Sequence, residues 1–95
     1  GRNPFNGAIL ANLSPAFALD NGLDDMKRGV VVVSSGGGSV AERLGLKKGD
    51  IILTINSKKV STVKIFKEMV SYKRKLWRIS IVRDDKVLTT EIPDN

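Results

Sequence analysis

The stretch that decides the fold runs from Gly36 to Asn56 and reads GGGSVAERLGLKKGDIILTIN. It opens with three glycines, which indicate a loop with backbone angles that other residues rarely adopt. Ser39 is a typical N-cap residue, and Glu42 follows three positions later, as a capping box requires. The pattern therefore predicts a short helix over residues 39–44, which ends at Gly45 because glycine readily takes the left-handed conformation of helix ends.

The second half of this stretch predicts a turn followed by a buried strand. Residues 46–50 read LKKGD, a polar segment with a glycine in a turn position. Residues 51–55 read IILTI, an apolar run of strand length. The strand is followed by Asn56-Ser57, a second turn signal.

This arrangement resembles a PDZ domain, and most closely the bacterial pattern AGLKxGDxIxxxNG. Residues 44–52 read LGLKKGDII, and Asn56-Ser57 stands where the family usually has Asn-Gly. Over the whole chain the sequence is similar to the second, C-terminal PDZ domain of the Do/HtrA-type serine proteases (the DegP and DegQ group). The further pieces that carry this similarity are Phe5-Asn6-Gly7, Ala11-Asn12-Leu13-Ser14 and Arg83-Asp84-Asp85-Lys86-Val87.

The remaining chain predicts a mainly β domain. Strands are expected over residues 7–13, 30–33 and 58–60, and a closing hairpin over 76–82 and 86–92 around Asp84-Asp85. Ser14-Pro15 indicates a short helix through Leu19, and Ser61 a cap for a longer helix from Thr62 to about Tyr72. The β-branched run at 30–33 does not alternate with polar residues, which favours burial on both faces. With the resemblance, this predicts an α+β fold: a PDZ-like, partly open β-barrel or sandwich of five to six strands flanked by two helices, in the bacterial, circularly permuted strand order.

The composition indicates one soluble globular domain. The 95 residues are 41% hydrophobic and 27% charged, which suits a single modest core over residues 1–95, with 1–4 as a lead-in or cloning remnant. The chain has no Cys and no His, so it offers no thiolate nucleophile, no catalytic imidazole and none of the usual zinc ligands. We expect no catalytic residue, no metal and no cofactor in this chain, no membrane insertion, and a longer parent protein that carries the protease domain.

The positive charge is concentrated in the second half of the chain. The net charge is +6, and residues 58–78 contain eight basic residues against the single acid Glu68. A solvated helix face explains such a run, and an electropositive rim for an anionic partner is the alternative. No aromatic residues are interleaved with these charges in the manner of nucleic-acid binders, so nucleic acid is not an expected partner.

The PDZ resemblance implies where a ligand would bind. PDZ domains add a peptide C-terminus as an extra strand to a sheet edge beside a helix, with the carboxylate held by backbone amides of a turn. The residues that the resemblance assigns to this site are Phe5, Asn6, Gly7, Ala8, Ile9 and Leu10 in the turn and edge strand, and Thr62, Ile65, Phe66 and Met69 on the helix wall. The four helix residues are predicted to lie away from Val63 and Val70. Asn6 and Ala8 replace two larger apolar residues of the family pattern, which predicts a shallower pocket.

Three functions stay open at this point. The first is a non-catalytic module that captures C-terminal or extended hydrophobic peptide and regulates substrate presentation and assembly in protein quality control. The second is an oligomerisation module with a vestigial groove, which docks protease or PDZ domains of the same protein or of neighbouring subunits. The third, a basic binder of anionic surfaces or nucleic acid, rests on charge alone. The resemblance implies a periplasmic or cell-envelope location.

Overall fold

In the computed structural model, the described residues are 4–14, 16, 29–72 and 75–93. They form six antiparallel strands and two helices. The strands are β1 (Ile9–Asn12), β2 (Val30–Ser34), β3 (Ile51–Ile55), β4 (Lys58–Lys59), β5 (Leu76–Arg83) and β6 (Lys86–Pro93); the helices are α1 (Val40–Arg43) and α2 (Val63–Val70).

The strands form one sheet in the order β1-β2-β3-β5-β6, with β4 paired to β3 beside this path. The sheet is open, so the predicted mainly β fold with five to six strands and two helices is confirmed. The short helix predicted over 14–19 lies outside the described residues, apart from Ser14 and Ala16. No helix in the described part of the chain is both long and apolar enough to cross a membrane.

Strand β2 is buried on both faces, as the uninterrupted valine run predicts. Val30 and Val32 belong to the main core, whereas Val31 packs in a smaller cluster on the opposite face with Leu13, Ile51 and Val82. The first three of the four valines of β2 are at most 1% exposed. Burial on both faces explains why the sequence of this strand shows no alternation.

The main core joins the segment before β1 and helix α2 to the central strands. Phe5 and Phe66 are both buried and meet edge to face, with ring centroids 4.9 Å apart and planes at 84°. Such an arrangement is the favoured geometry for aromatic pairs. Trp77 and Ile55 complete the cluster beneath them. The pair joins the segment before β1 to the helix, and so positions both sides of the site described below.

Helix α1 forms as predicted, with one change in its capping. The Glu42 N–H donates to the Ser39 Oγ at 3.1 Å, which confirms Ser39 as the N-cap. The Glu42 carboxylate, however, accepts from the Gly38 N–H at 3.0 Å, one residue before the amide of an ordinary capping box. The reason is that the Ser39 N–H already donates to the Gly36 carbonyl. The helix ends at Gly45, where φ is +94°.

Helix α2 begins one residue later than predicted. Thr62, not Ser61, is the N-cap: its backbone is extended and its Oγ1 accepts from the Ile65 N–H at 3.1 Å. The helix ends at Val70, earlier than the predicted Tyr72, and Ser71 caps it by donating to the Glu68 carbonyl. Both candidate caps are hydroxyl residues, so residue type alone does not decide between them.

The hairpin of β5 and β6 turns at Asp84-Asp85 as predicted, with both residues in the left-handed region. The turn between β3 and β4 has the same character, with φ of +49° at Asn56 and +68° at Ser57. The Asn56 side chain donates to the Leu76 carbonyl at 3.0 Å and accepts from the Arg78 N–H at 2.7 Å. Asn56 therefore extends the pairing of β3 with β5 beyond the end of the strand.

A buried ion pair joins the turn at residues 46–50 to β5. Asp50 is 1% exposed, and its two carboxylate oxygens accept from the Arg83 guanidinium at 2.8 and 2.6 Å. Arg83 also donates to the Gly45 carbonyl at 2.8 Å, at the end of α1. The hydrogen bond to Asp50 raises the pKa of Arg83 above its ordinary value, and partial burial opposes the rise. This pair holds α1, the turn and the hairpin together.

Candidate functional site

The segment Phe5–Ala8 forms a tight turn immediately before β1. The Ala8 N–H donates to the Phe5 carbonyl at 2.9 Å, and Gly7 in the third position has φ of +91°. A positive φ at this position is the requirement of a type II turn, which glycine meets without steric cost. The retained glycine of the predicted carboxylate loop is thus explained by its backbone conformation.

Two neighbouring backbone amides of this turn have no partner in the described part of the chain. Among the described residues, neither the Asn6 N–H nor the Gly7 N–H donates a hydrogen bond to any protein atom. Gly7 is exposed and Asn6 is half-buried, so water can reach the turn. Consecutive backbone N–H groups at a turn are a typical anion-binding arrangement.

The N-terminal end of helix α1 and the glycine loop before it pack closely against the turn. A Cβ placed on Gly7 would lie 2.2 Å from the Ser39 Cβ, and one placed on Gly36 would lie 2.5 Å from the Gly7 carbonyl oxygen. The Ala41 N–H donates to the Asn6 carbonyl at 3.1 Å. The glycine loop and the first turn of α1 therefore fix the position of the turn, which gives the GGGS stretch a structural task at the site.

Strand β1 is an edge strand. It pairs with β2 on one side, with a bulge between Ile9 and Leu10, and no other described strand pairs with its opposite edge. Ala8 and Leu10 are half-buried and pack towards the main core, while Ile9 is 60% exposed on the other face. The predicted alternation of the strand is therefore present, with Ala8 and Leu10 on the side of α2.

Helix α2 lies opposite this edge, but its faces differ from the prediction in one respect. Phe66 is only 6% exposed and packs against Phe5, so its placement on the side away from Val63 and Val70 is wrong. At 100° per residue, Phe66 is about 40° from Val70 and about 100° from Ile65. Thr62, Ile65 and Met69 are half-buried and cluster on the other flank.

The ten residues predicted for the site thus fall into two groups. Phe5 and Phe66 contribute buried rings that support the site from the core. The other eight lie in the turn and β1 or on the less buried flank of α2, and these are Asn6, Gly7, Ala8, Ile9, Leu10, Thr62, Ile65 and Met69. Of these, Ile9 turns its side chain to the outer face.

One contact across this space was missed by the sequence analysis. The Asn12 side-chain oxygen accepts from the Val63 N–H at 2.7 Å and so ties the last residue of β1 to the first residue of α2. The two residues are 51 positions apart. No local pattern marks Asn12, because a polar residue at the end of a strand is usually a solvated turn residue.

Elsewhere on the surface, no group of three or more potential metal ligands occurs among the described residues. The lysines of α2, Lys64 and Lys67, are exposed on the face of the helix that is turned away from Ile65 and Met69. The charge of this helix is therefore not directed into the space beside β1.

The architecture matches a known domain. The HtrA3 PDZ domain, solved in complex with a phage-derived ligand of sequence FGRWV, superposes with a TM-score of 0.77 over 96% of this chain and 84% of that one, at 21% sequence identity. The family model of the PDZ domain matches residues 31–75, which include the deciding stretch and α2. The chain has the fold of a PDZ domain.

Two curated relatives connect this PDZ domain to longer proteins. A probable periplasmic serine endoprotease of Chlamydia pneumoniae, described as DegP-like, is 35% identical over 57 residues. An uncharacterised protein of Methanocaldococcus jannaschii is 45% identical over 49 residues. The matched segments cover 60% and 50% of this chain but only 12% and 13% of the relatives. The predicted similarity to PDZ domains of the Do/HtrA type is confirmed.

Proposed function

We propose that this domain binds the C-terminus of an extended, apolar-ended peptide as an additional strand on the edge of β1. The observation that carries the proposal is the combination of an edge strand with two unpartnered amides, at Asn6 and Gly7, at its start. An antiparallel peptide on this edge would bring its carboxylate to the turn. Main-chain pairing supplies affinity that is largely independent of sequence.

The terminal side chain would lie between the strand and the helix. The apolar groups that border this space are Ala8 and Leu10 on the strand side and Ile65 and Met69 on α2. Ala8 provides little apolar surface, so the helix residues would supply most of the contact. Each additional buried methylene contributes about 0.8 kcal/mol, which favours Val, Leu or Ile over Ala as the last residue.

In the full-length protein this domain would be a non-catalytic module of a Do/HtrA-type serine protease, placed as its second, C-terminal PDZ domain. It would present unfolded or C-terminal segments to the protease domain, in the periplasm or cell envelope. The similarity to a DegP-like periplasmic endoprotease supports this role.

An NMR titration of the isolated domain tests the proposal. The ligand is an acetylated peptide that ends in valine, with the same peptide amidated at its C-terminus as the control. We expect carboxylate-dependent shifts at the Asn6, Gly7 and Ala8 amides and at Ile65. Equal shifts with both peptides, or none at millimolar peptide, would reject carboxylate capture at this turn.

A second candidate is a docking role in the assembled protein, favoured by a cavity beside the β5–β6 hairpin. The cavity has a volume of about 160 Å³ and is lined mainly by apolar residues of the α1 end and the β5–β6 hairpin, including Leu44, Leu46, Ile81 and Leu88. Leu44 and Leu88 are 41% and 39% exposed. If the domain serves assembly, Leu88→Lys should weaken its association with the neighbouring domains of the full-length protein and leave peptide shifts at Gly7 unchanged.

A further inference from the structure

The contact between Asn12 and Val63 has a geometric consequence for the space beside β1. The Asn12 side-chain oxygen lies 2.7 Å from the Val63 nitrogen. From standard bond lengths, the Cα of Asn12 is then about 6 Å from that nitrogen. An added strand needs about 4.8 Å to the strand it pairs with, and its atoms need about 3.5–4 Å of van der Waals separation from the helix on its other side. A peptide backbone therefore does not fit between Asn12 and the start of α2.

The same contact also completes the N-terminus of the helix. The first N–H groups of a helix have no partner within the helix. In α2 the Thr62 side chain accepts from the Ile65 N–H, and Asn12 accepts from the Val63 N–H. The second acceptor comes from the strand instead of from the cap, so the helix end and the strand end hold each other.

We propose that Asn12 closes the far end of the groove and limits the bound peptide to about four residues, counted back from the carboxylate at Asn6 and Gly7. Strand β1 offers only Ile9–Asn12 for pairing. Residues further upstream in a ligand leave the groove before Asn12 and add no affinity. Asn12 is a positioning residue in this assignment, because it acts through the location of α2. The inference rests on the proposed function, since it concerns the same groove.

The test compares two ligands in three variants. The ligands are an acetylated tetrapeptide ending in valine and an acetylated octapeptide that has the same last four residues. In the unmodified domain we expect the two Kd values to agree within about twofold. In Asn12→Ala the closing bond is lost, and the octapeptide should bind about three- to tenfold more tightly than the tetrapeptide.

Asn12→Asp supplies the rescue. A carboxylate oxygen accepts from the Val63 N–H as the amide oxygen does, and a negative charge is favoured at a helix N-terminus. The ratio of the two Kd values should therefore return to about one. Lys67→Gly is the matched control: it destabilises α2 through an exposed position on the flank away from the groove, and it should also leave the ratio at about one.

A ligand-free measurement separates the two proposals. Hydrogen exchange of the Val63 amide should be about three- to tenfold faster in Asn12→Ala than in the unmodified domain and unchanged in Asn12→Asp. Unchanged exchange in Asn12→Ala would overturn the inference, as would an octapeptide that already binds severalfold more tightly to the unmodified domain. Exchange of the Val63 amide could be faster in Asn12→Ala while no variant shows carboxylate-dependent binding. In that case the peptide-binding proposal fails and the length limit fails with it, although the contact between Asn12 and Val63 is confirmed.

Discussion

The turn at Phe5–Ala8 and the turn at Lys47–Asp50 are built alike and use their polar groups in opposite ways. Each is closed by a hydrogen bond from its fourth amide to its first carbonyl, at 2.9 Å and 3.1 Å. Each has glycine in third position, with φ of +91° at Gly7 and +92° at Gly49. In the second turn the Gly49 N–H donates to the Val32 carbonyl, whereas the Gly7 N–H donates to no described atom.

The side chains of the two turns show the same contrast. Asp50 uses both carboxylate oxygens within the fold: Oδ1 accepts from Arg83, and Oδ2 accepts from Arg83 and from the Lys47 N–H. The first turn contains no charged residue, and its unpartnered amides face no competing carboxylate among the described contacts. The second turn uses the Gly49 amide within the fold, whereas the first turn leaves the Gly7 amide without a partner among the described residues, where it can bind an anion.

A large loss of stability should come from breaking the ion pair of the second turn. Arg83→Ala leaves the buried Asp50 carboxylate without its ion-pair partner, and we expect a loss of about 3 kcal/mol in the free energy of unfolding. This is the lower end of the range for a broken buried pair, because the Arg83 side chain is 27% exposed. Urea denaturation measures the loss. Arg78→Ala removes an exposed pair with Glu91 at 3.6 Å and should change stability by less than about 0.5 kcal/mol. Equal effects would mean that Asp50 is satisfied without Arg83.

The two glycines offer a direct test of the comparison. Alanine at Gly49 meets no atom within 4 Å, so Gly49→Ala should cost only the left-handed backbone, about 1–2 kcal/mol. Alanine at Gly7 has the same backbone strain and would also overlap the Ser39 Cβ, which adds about 1–3 kcal/mol. Urea denaturation of both variants gives the difference. Gly7→Ala should in addition abolish the carboxylate-dependent shifts, while Gly49→Ala retains them. Equal stability of the two variants would show that the first turn moves away from α1 freely.

The parts of the molecule that the sequence predicts well are those set by neighbours in the chain. The helix after Ser39, the strand at 51–55 and the hairpin at Asp84-Asp85 each follow from caps, periodicity and turn residues within a few positions. The roles of the edge strand and its glycine turn were predicted from the resemblance to the PDZ family, because local sequence signals alone do not determine these roles.

The contacts that shape the site from a distance were not predictable in this way. No local pattern indicates the partner of Asp50, because nine other arginines and lysines besides Arg83 follow it in the chain. Arg83 becomes the partner because β3 pairs with β5, which brings Ile51 opposite Val82. Asn12 and Val63 are likewise brought together by the fold, from 51 positions apart. The placement of Phe66, by contrast, could have been read from the sequence, because helical periodicity puts it about 40° from Val70.

A third turn, between β3 and β4, also uses polar groups in hydrogen bonds within the fold. Mutating it should reduce the free energy of unfolding by a smaller amount. Asn56→Ala removes the bonds to the Leu76 carbonyl and from the Arg78 N–H, and it places alanine at φ of +49°. We expect a loss of about 1–2 kcal/mol in urea denaturation. Asn56→Asp keeps an oxygen that accepts from Arg78 and loses only the donor to Leu76, so it should lose less. An aspartate variant as unstable as the alanine variant would assign the effect to the donor alone.

The smallest change in the free energy of unfolding should be an increase. It is expected at Ser57, where the family pattern has the glycine of Asn-Gly. Ser57 has φ of +68°, and glycine there would relieve about 1–2 kcal/mol of backbone strain. Glycine also raises the entropy of the unfolded chain, which offsets about 0.5–1 kcal/mol of this relief. Ser57→Gly should therefore stabilise the domain by about 0.5 kcal/mol, seen as a higher urea midpoint with an unchanged slope. Asp85→Gly is the matched control, since Asp85 has φ of +62° but aspartate tolerates the left-handed region better than serine, and it should give no gain. A gain at Asp85 as large as at Ser57 would mean that the hairpin turn is strained as well, and that local hydrogen bonding of aspartate contributes nothing to it.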